Sequence, residues 1–263
     1  MPSPSDPGSG VSGARLKGVA ISLIGLLAGL LAWQVLGQRD PVLLATPVRS
    51  FESLAAMTRD GTLPGALADT GVLFLAGLAA AVVGGVGYGL VLSRSRRLRT
   101  STQWLVFAVQ SVPIVALAPL ILAAFGFGFW AKVLVVFLSA VFPVLINTAE
   151  GARHTPVTLL EVARVHRSGE WALWRDVLLP HAMPYAMSGI RQGIAMAFVG
   201  TFIAEFFLEA TGIGGLLLGA SSRFDSATVL GLTVLVSVLA AMLMALGQVL
   251  ERAFAPWREG STE

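Results

Sequence analysis

Residues Gly71–Leu92 read GVLFLAGLAAAVVGGVGYGLVL without one charged side chain, and Ser93–Ser101 directly after them read SRSRRLRTS. An apolar run of about 18 residues or more is long enough to cross the hydrocarbon core of a bilayer as a helix. Basic residues at its edge mark the cytosolic side. The same pattern recurs along the chain as Gly18–Leu36, Trp104–Phe125, Trp130–Ile146, Tyr185–Phe207 and Ala227–Leu250. The expected fold is therefore all-α, a polytopic transmembrane helix bundle of about six spans.

Composition agrees with this reading. Hydrophobic residues make up 55% of the chain and charged residues 13%, against roughly 25% charged in an ordinary soluble domain. A mean hydropathy of +0.78 and a pI near 9.9 accompany it. In a membrane protein such basicity reports topology, so no nucleic-acid partner is expected. The chain has no cysteine, hence neither disulfides nor thiolate metal sites. His154, His166 and His181 share one hydrophilic stretch at spacings unlike a zinc motif, and no metal site is expected. The only lysines, Lys17 and Lys132, precede Gly18 and Val133, so the chain lacks a GxxxxGK[ST] phosphate loop and is expected to bind no cofactor of its own.

Residues 1–17 open with a Pro, Ser and Gly-rich segment expected to be disordered and cytosolic. Arg15 and Lys17 before the first block also suit a cleaved signal peptide. That block is longer than an ordinary signal core and no clean cleavage site follows, so it is read as a span. Residues 18–250 then form the membrane domain and 251–263 a cytosolic tail. With the amino terminus in the cytosol, Arg15, Lys17, Arg94, Arg96, Arg97, Arg99, Arg153, Arg164, Arg167, Arg175, Arg252 and Arg258 fall inside. Only Arg39, Arg49, Arg59, Lys132 and Arg223 fall outside, which favours this orientation and places both termini in the cytosol.

The outer stretch Gln38–Thr70 has room for a small helix or two, and the cytosolic stretch Asn147–Pro184 is too long to be structureless. Thr155 before Pro156 suits a helix start, giving a first short helix to about His166. Ser168 and Gly169 punctuate it. A second helix follows through Trp171, Trp174 and Leu178, which share a face, until Pro180 stops it. Such a pair beside a membrane either lies in the headgroup layer or docks a partner.

Four features inside the blocks bear on function. Arg191 is near enough to the cytosolic end to snorkel. Glu205 lines a pathway, makes a dimer contact or reaches the outer interface. Pro113 and Pro119 should bend the third block, either beside a cavity or as a packing kink. Gly85 and Gly89 form a GxxxG that allows close helix approach. A stand-alone secondary transporter would want ionisable groups at the midplane, of which the chain offers almost none. A membrane enzyme would want a nucleophile beside a base, and no histidine is expected within a helix.

Glu161-Val162-Ala163 followed by Leu178-Leu179-Pro180 resembles the EAA loop of ABC importer permeases. From about Pro41 onward the chain is similar to the sulfonate, nitrate and taurine branch of that family. The similarity is carried by Val112–Leu120, Phe125–Gly128, Phe142-Pro143, Asn147-Thr148, Gly189-Ile190-Arg191, Ala204-Glu205-Phe206 and Gly212-Ile213-Gly214. Permeases for thiamine-precursor pyrimidines and riboflavin share these features. The resemblance implies a type I ABC importer permease fold, a cell inner-membrane location, and transport without chemistry on the solute. It implies that the loop 147–184 couples to two copies of a cytosolic ABC ATPase subunit through Glu161, Val162, Ala163, Arg164, Arg167, Gly169, Trp171, Trp174, Leu179 and Pro180. It also implies an extracytoplasmic solute-binding protein, a permease homodimer in membrane lipid, and pathway positions at Pro113, Pro119 and Glu205. The family usually has glycine where Arg167 stands, so the bend between the two loop helices is expected to move toward Gly169 or close differently.

Overall fold

The computed structural model describes residues 9–39, 44–94, 96–208 and 210–254. Its helices are α1 (Ser9–Arg39), α2 (Pro47–Arg59), α3 (Thr62–Arg94), α4 (Arg96–Gln110), α5 (Ile114–Phe125) and α6 (Phe129–Arg153). They continue with α7 (Val157–Val165), α8 (Glu170–Leu173), a π turn at Trp174–Leu178, α9 (Leu179–Phe207), α10 (Gly212–Ser222) and α11 (Ser226–Phe254). The fold is an all-α polytopic bundle. Among the described residues, Thr62–Ser93, Phe129–Arg153, Glu170–Phe207 and Ser226–Ala253 are long and apolar enough to cross a membrane, and a bent pair makes five. The first block, Gly18–Leu36, lies in α1, which begins at Ser9; several of its side chains, and residues 1–8 and 255–263, lie outside the described residues.

Helix α6 forms the axis of the bundle, held between α3 and α9 by glycines that face it from both sides. A Cβ at Gly85 would sit 2.8 Å from Val144 Cβ, and one at Gly89 would sit 2.7 Å from the Leu145 carbonyl oxygen. From the other side, a Cβ at Gly189 would meet the Pro143 carbonyl at 2.8 Å and one at Gly200 the Ser139 hydroxyl at 2.4 Å. In lipid the hydrophobic effect does not pull helices together, so van der Waals contact between closely approaching backbones has to do it. Val135, Val136, Ala140, Val144 and Thr148 of α6 are consequently fully or almost fully buried. The GxxxG read from sequence is one half of this clasp.

The third apolar block is not one straight span. It breaks at Ser111-Val112-Pro113 into Thr100–Gln110 and Ile114–Phe125, bent by 96°. Pro113 has no N–H to continue the α4 ladder and disfavours helical geometry at Val112, so the chain leaves the helix there and Pro113 opens α5 with ψ 118°. Pro119, expected to act likewise, sits inside an uninterrupted α5.

At the end of the bundle formed by the start of α3 and the end of α9, α2 and α10 close the surface. Thr46 caps α2 and Pro47 starts it. A Cβ on Gly231 of α11 would lie 2.7 Å from the Ser50 carbonyl, and the Ser53 and Thr228 hydroxyls meet at 2.6 Å. Asp225 caps α11 by accepting from the Thr228 amide at 3.1 Å, and the Thr228 hydroxyl holds its carboxyl below the usual carboxylate range.

Gly89→Leu should lower stability by about 1–3 kcal/mol or more, because the added side chain meets backbone that cannot move aside. Gly87→Leu, with open space around it, should change little. Thermal unfolding of the two purified variants in detergent makes the comparison, and equal midpoints would contradict the clasp.

Candidate functional site

The loop joining α6 to α9 begins where Thr155, expected to cap α7, donates its hydroxyl hydrogen to the Ala152 carbonyl at 2.9 Å and so completes α6. Helix α7 then presents Val157, Leu159, Glu161, Val162 and Val165 outward, while Ala163 is buried. The backbone of Arg164 lies in α7; its side chain lies outside the described residues.

The bend after α7 has not moved. Arg167 itself takes the left-handed conformation with φ 48°, and Gly169 has φ −62° and serves as the N-cap of α8. The Ser168 amide bonds back to the Ala163 carbonyl at 3.0 Å, the Schellman closure of a helix whose C′ residue is left-handed. Arginine therefore does the work usually given to glycine and carries a steric cost of about 1–2 kcal/mol for doing so.

Trp171, Trp174 and Leu178 do not share one face. Trp171 is 78% exposed, whereas Leu178 is 5% exposed and Trp174, half-buried, packs with Leu179 against Leu90, Ala152 and Ala182. Nor does Pro180 stop the helix. The Leu179 amide reaches back to the Trp174 carbonyl, a π-type bond, and the chain runs through Pro180 into α9 as one apolar stretch from Glu170 to Phe207. A proline ring clashes with the carbonyl four residues before it, here that of Asp176, and the wider π turn makes room.

The three histidines serve the same loop. His154 stacks on Tyr185 with centroids 5.8 Å apart, and its Nδ1 lies 2.8 Å from the Glu150 carbonyl. His166 Nδ1 lies 3.0 Å from the Val162 carbonyl, and His181 Nε2 lies 3.1 Å from the His154 carbonyl. His181, expected outside every helix, is in the first turn of α9. Among the described residues no three metal-ligating side chains converge.

Of the pathway candidates, Pro113 borders a cavity of about 490 Å³ between the α4–α5 elbow, α6 and α9. Glu205 is elsewhere and only 1% exposed. One carboxylate oxygen accepts from the Thr70 hydroxyl at 2.7 Å and the other from the Gly214 amide at 2.7 Å; Thr70 in turn accepts from the Ile213 amide at 2.9 Å. Together they cap α10, whose first amides have no partner within the helix. Gly212, at φ +61°, lies where a Cβ would fall 2.1 Å from that carboxylate, which explains the glycine-rich start of α10. Nearby, Lys132 donates to the Thr211 hydroxyl at 2.8 Å. Arg191, read from sequence as a snorkelling side chain, forms an ion pair of 2.9 Å with Glu251 of α11, which also accepts from the Ser188 hydroxyl. No periodicity links residues so far apart, so the sequence carried no signal for Glu251.

The pattern described as the binding-protein-dependent transport system inner membrane component matches residues 75–258, running from α3 through the loop to the end of α11. The chain belongs to this family. It is a membrane permease subunit of an ABC-type importer, a multi-pass inner-membrane protein and not an enzyme. Its relatives include the putative aliphatic sulfonates transport permease protein SsuC of Bacillus subtilis, 30% identical over 86% of this chain and 83% of that one. The riboflavin transport system permease protein RibX of Chloroflexus aurantiacus is 35% identical over 57% of this chain; the match spans 56% of that relative's length. Among solved structures, a chain of the MetNI methionine ABC transporter superposes with a TM-score of 0.63 at 18% identity, covering 73% of this chain and 96% of its own. That likeness establishes the permease fold.

Two expectations follow for this permease. Arg167→Gly should stabilise the α7–α8 bend by about 1 kcal/mol, slowing hydrogen exchange of the Ser168 amide, whereas Arg167→Val should speed it. Glu205→Ala should orphan the Gly214 amide and the Thr70 hydroxyl at about 1–3 kcal/mol each. Thermal unfolding should show that loss, and Glu205→Gln should recover part of it.

Proposed function

We propose that this permease moves a small solute of the sulfonate, nitrate or taurine class inward, driven by a separate cytosolic ATPase that docks on α7 and α8. The observation that carries the reading is the outward display of apolar side chains on that loop: Val162 is 55% exposed, Val165 81% and Trp171 78%. Large apolar groups exposed on the loop that also exposes Glu161 suit a protein partner better than water. Beneath them, Trp174 and Leu179 pack against Leu90, Ala152 and Ala182 of the bundle, and the π turn runs on into α9, so a push on the loop has a rigid path to the span.

In this mechanism two copies of the chain enclose a central path, and two ATPase subunits close on ATP. Their motion reaches the bundles through Glu161, Val162, Ala163, Arg164, Arg167, Gly169, Trp171, Trp174, Leu179 and Pro180. The bundles rock between inward-open and outward-open states. The excess of arginine at this end supports a cytosolic placement of the loop and of both termini. A soluble binding protein delivers the solute to the opposite surface, where α2 and α10 lie. The solute class is supported by the similarity to SsuC across most of both chains. The higher identity to RibX over a shorter stretch supports riboflavin, or another heteroaromatic solute such as a pyrimidine, as the second reading.

Glu161→Arg should cut solute uptake about tenfold or more, the consequence of losing about 1.4 kcal/mol or more at the docking surface. It should also weaken copurification of the ATPase, while membrane insertion is unchanged. Growth on single sulfonates as the sulfur source, compared in cells carrying either version, reads the effect. Undiminished growth with undiminished ATPase capture would overturn the coupling role.

A further inference from the structure

We infer that the cavity at the α4–α5 elbow is the membrane-level part of the solute path, with Gln110 and Gln192 as the groups that touch the solute; this rests on the permease reading above. The cavity holds about 490 Å³, within the range of small-molecule sites. Its walls are apolar except for Gln110 at the end of α4, Ser139 on α6 and Gln192 on α9. No ionisable side chain lines it. Arg191, next to Gln192 in sequence, is instead held by Glu251 of α11.

Depth and backbone both argue that this face is wet. Ser139 stands ten residues into α6, about 15 Å along its axis, and so near the middle of a hydrocarbon core about 30 Å thick. At that depth a bent backbone is tolerated only where protein or a water-filled cavity covers it. The elbow is not buried by its own chain: Val112 is 41% exposed and Val115 45%. Gln192, Met196 and Val199 form an exposed stripe on α9, beside the glycines that press against α6. Neither carboxamide is engaged with another described residue, and lipid would leave both unsatisfied.

Carboxamide N–H groups can donate to the oxygens of a sulfonate as well as to those of a ring carbonyl. The ligand class is therefore a small solute that presents acceptor oxygens. An uncharged lining holds such a solute by replaceable hydrogen bonds and does not trap it by charge. The choice among solutes then falls to the protein that delivers them.

The chain has no cysteine, so Gln110→Cys and Gln192→Cys can be introduced singly into the full assembled transporter in membranes. The probe is a membrane-impermeant methanethiosulfonate carrying a trimethylammonium group, which reacts with thiolate and therefore where water reaches. Both positions should label about tenfold or more faster than Val83→Cys, which replaces a side chain 75% exposed on the outer face of α3. Trapping the transporter with ATP and vanadate should change both rates. Met196→Cys, on the same stripe, serves if either glutamine variant does not assemble. Labelling as slow as at position 83, or rates indifferent to trapping, in a complex that still hydrolyses ATP would overturn the path and leave the permease reading standing. A disulfide joining two copies at position 192 without labelling would make the face a dimer contact and overturn it as well. A complex in which the unsubstituted chain captures no ATPase would instead defeat the permease reading.

Discussion

Contact between α6 and the glycine stripes of α3 and α9 is the constraint on which the rest of the molecule depends. At Gly89 and Gly189 the nearest neighbours of a hypothetical Cβ are carbonyl oxygens of α6, so backbone lies against backbone with no side chain between. Helices that close can only meet in one register. Once α6 is fixed, its two ends place everything else: Lys132 near the cap of α10 at one end, and Ala152 and Thr155 under the α7–α8 loop at the other.

Around this rigid centre two breaks in regular α-helix and one helix too short to span lie at surfaces the transport reading uses. The elbow at Ser111-Val112-Pro113 borders the large cavity, the π turn at Trp174–Leu178 joins the loop to α9, and α10 is an 11-residue apolar helix too short to span. Two of these features are held by specific bonds. Glu205 and Thr70 replace the missing partners of α10, and the Leu179 amide takes the Trp174 carbonyl. Two non-glycine residues, Arg167 and Phe224, adopt positive φ at the ends of α7 and α10, and in both the following amide bonds five residues back. Such strain persists only where surrounding structure enforces it.

Charge is distributed by the same economy. Arg191 and Glu251 neutralise each other between α9 and α11, and Glu205 accepts from the Gly214 amide and the Thr70 hydroxyl. The large cavity is left with hydrogen-bonding groups and no fixed charge. Ionisable side chains gather instead at the other end of α6, where Asp69, Lys132 and Glu205 line a smaller cavity beside α10.

The apolar blocks, the basic edges and the residues 161–163 with 178–180 made the bundle, its class and the loop legible from sequence, because length, hydrophobicity and local spacing are properties of neighbouring residues. The same local logic misplaced the bend at Arg167, the end at Pro180 and the shared face of Trp171, where nearby packing outweighs intrinsic preference. The pairing of Glu205 with Thr70, of Arg191 with Glu251, and of Gly200 with Ser139 had no trace in the sequence. These partners are brought together by which helices pack and how closely, and that is decided only when the whole bundle has closed around α6.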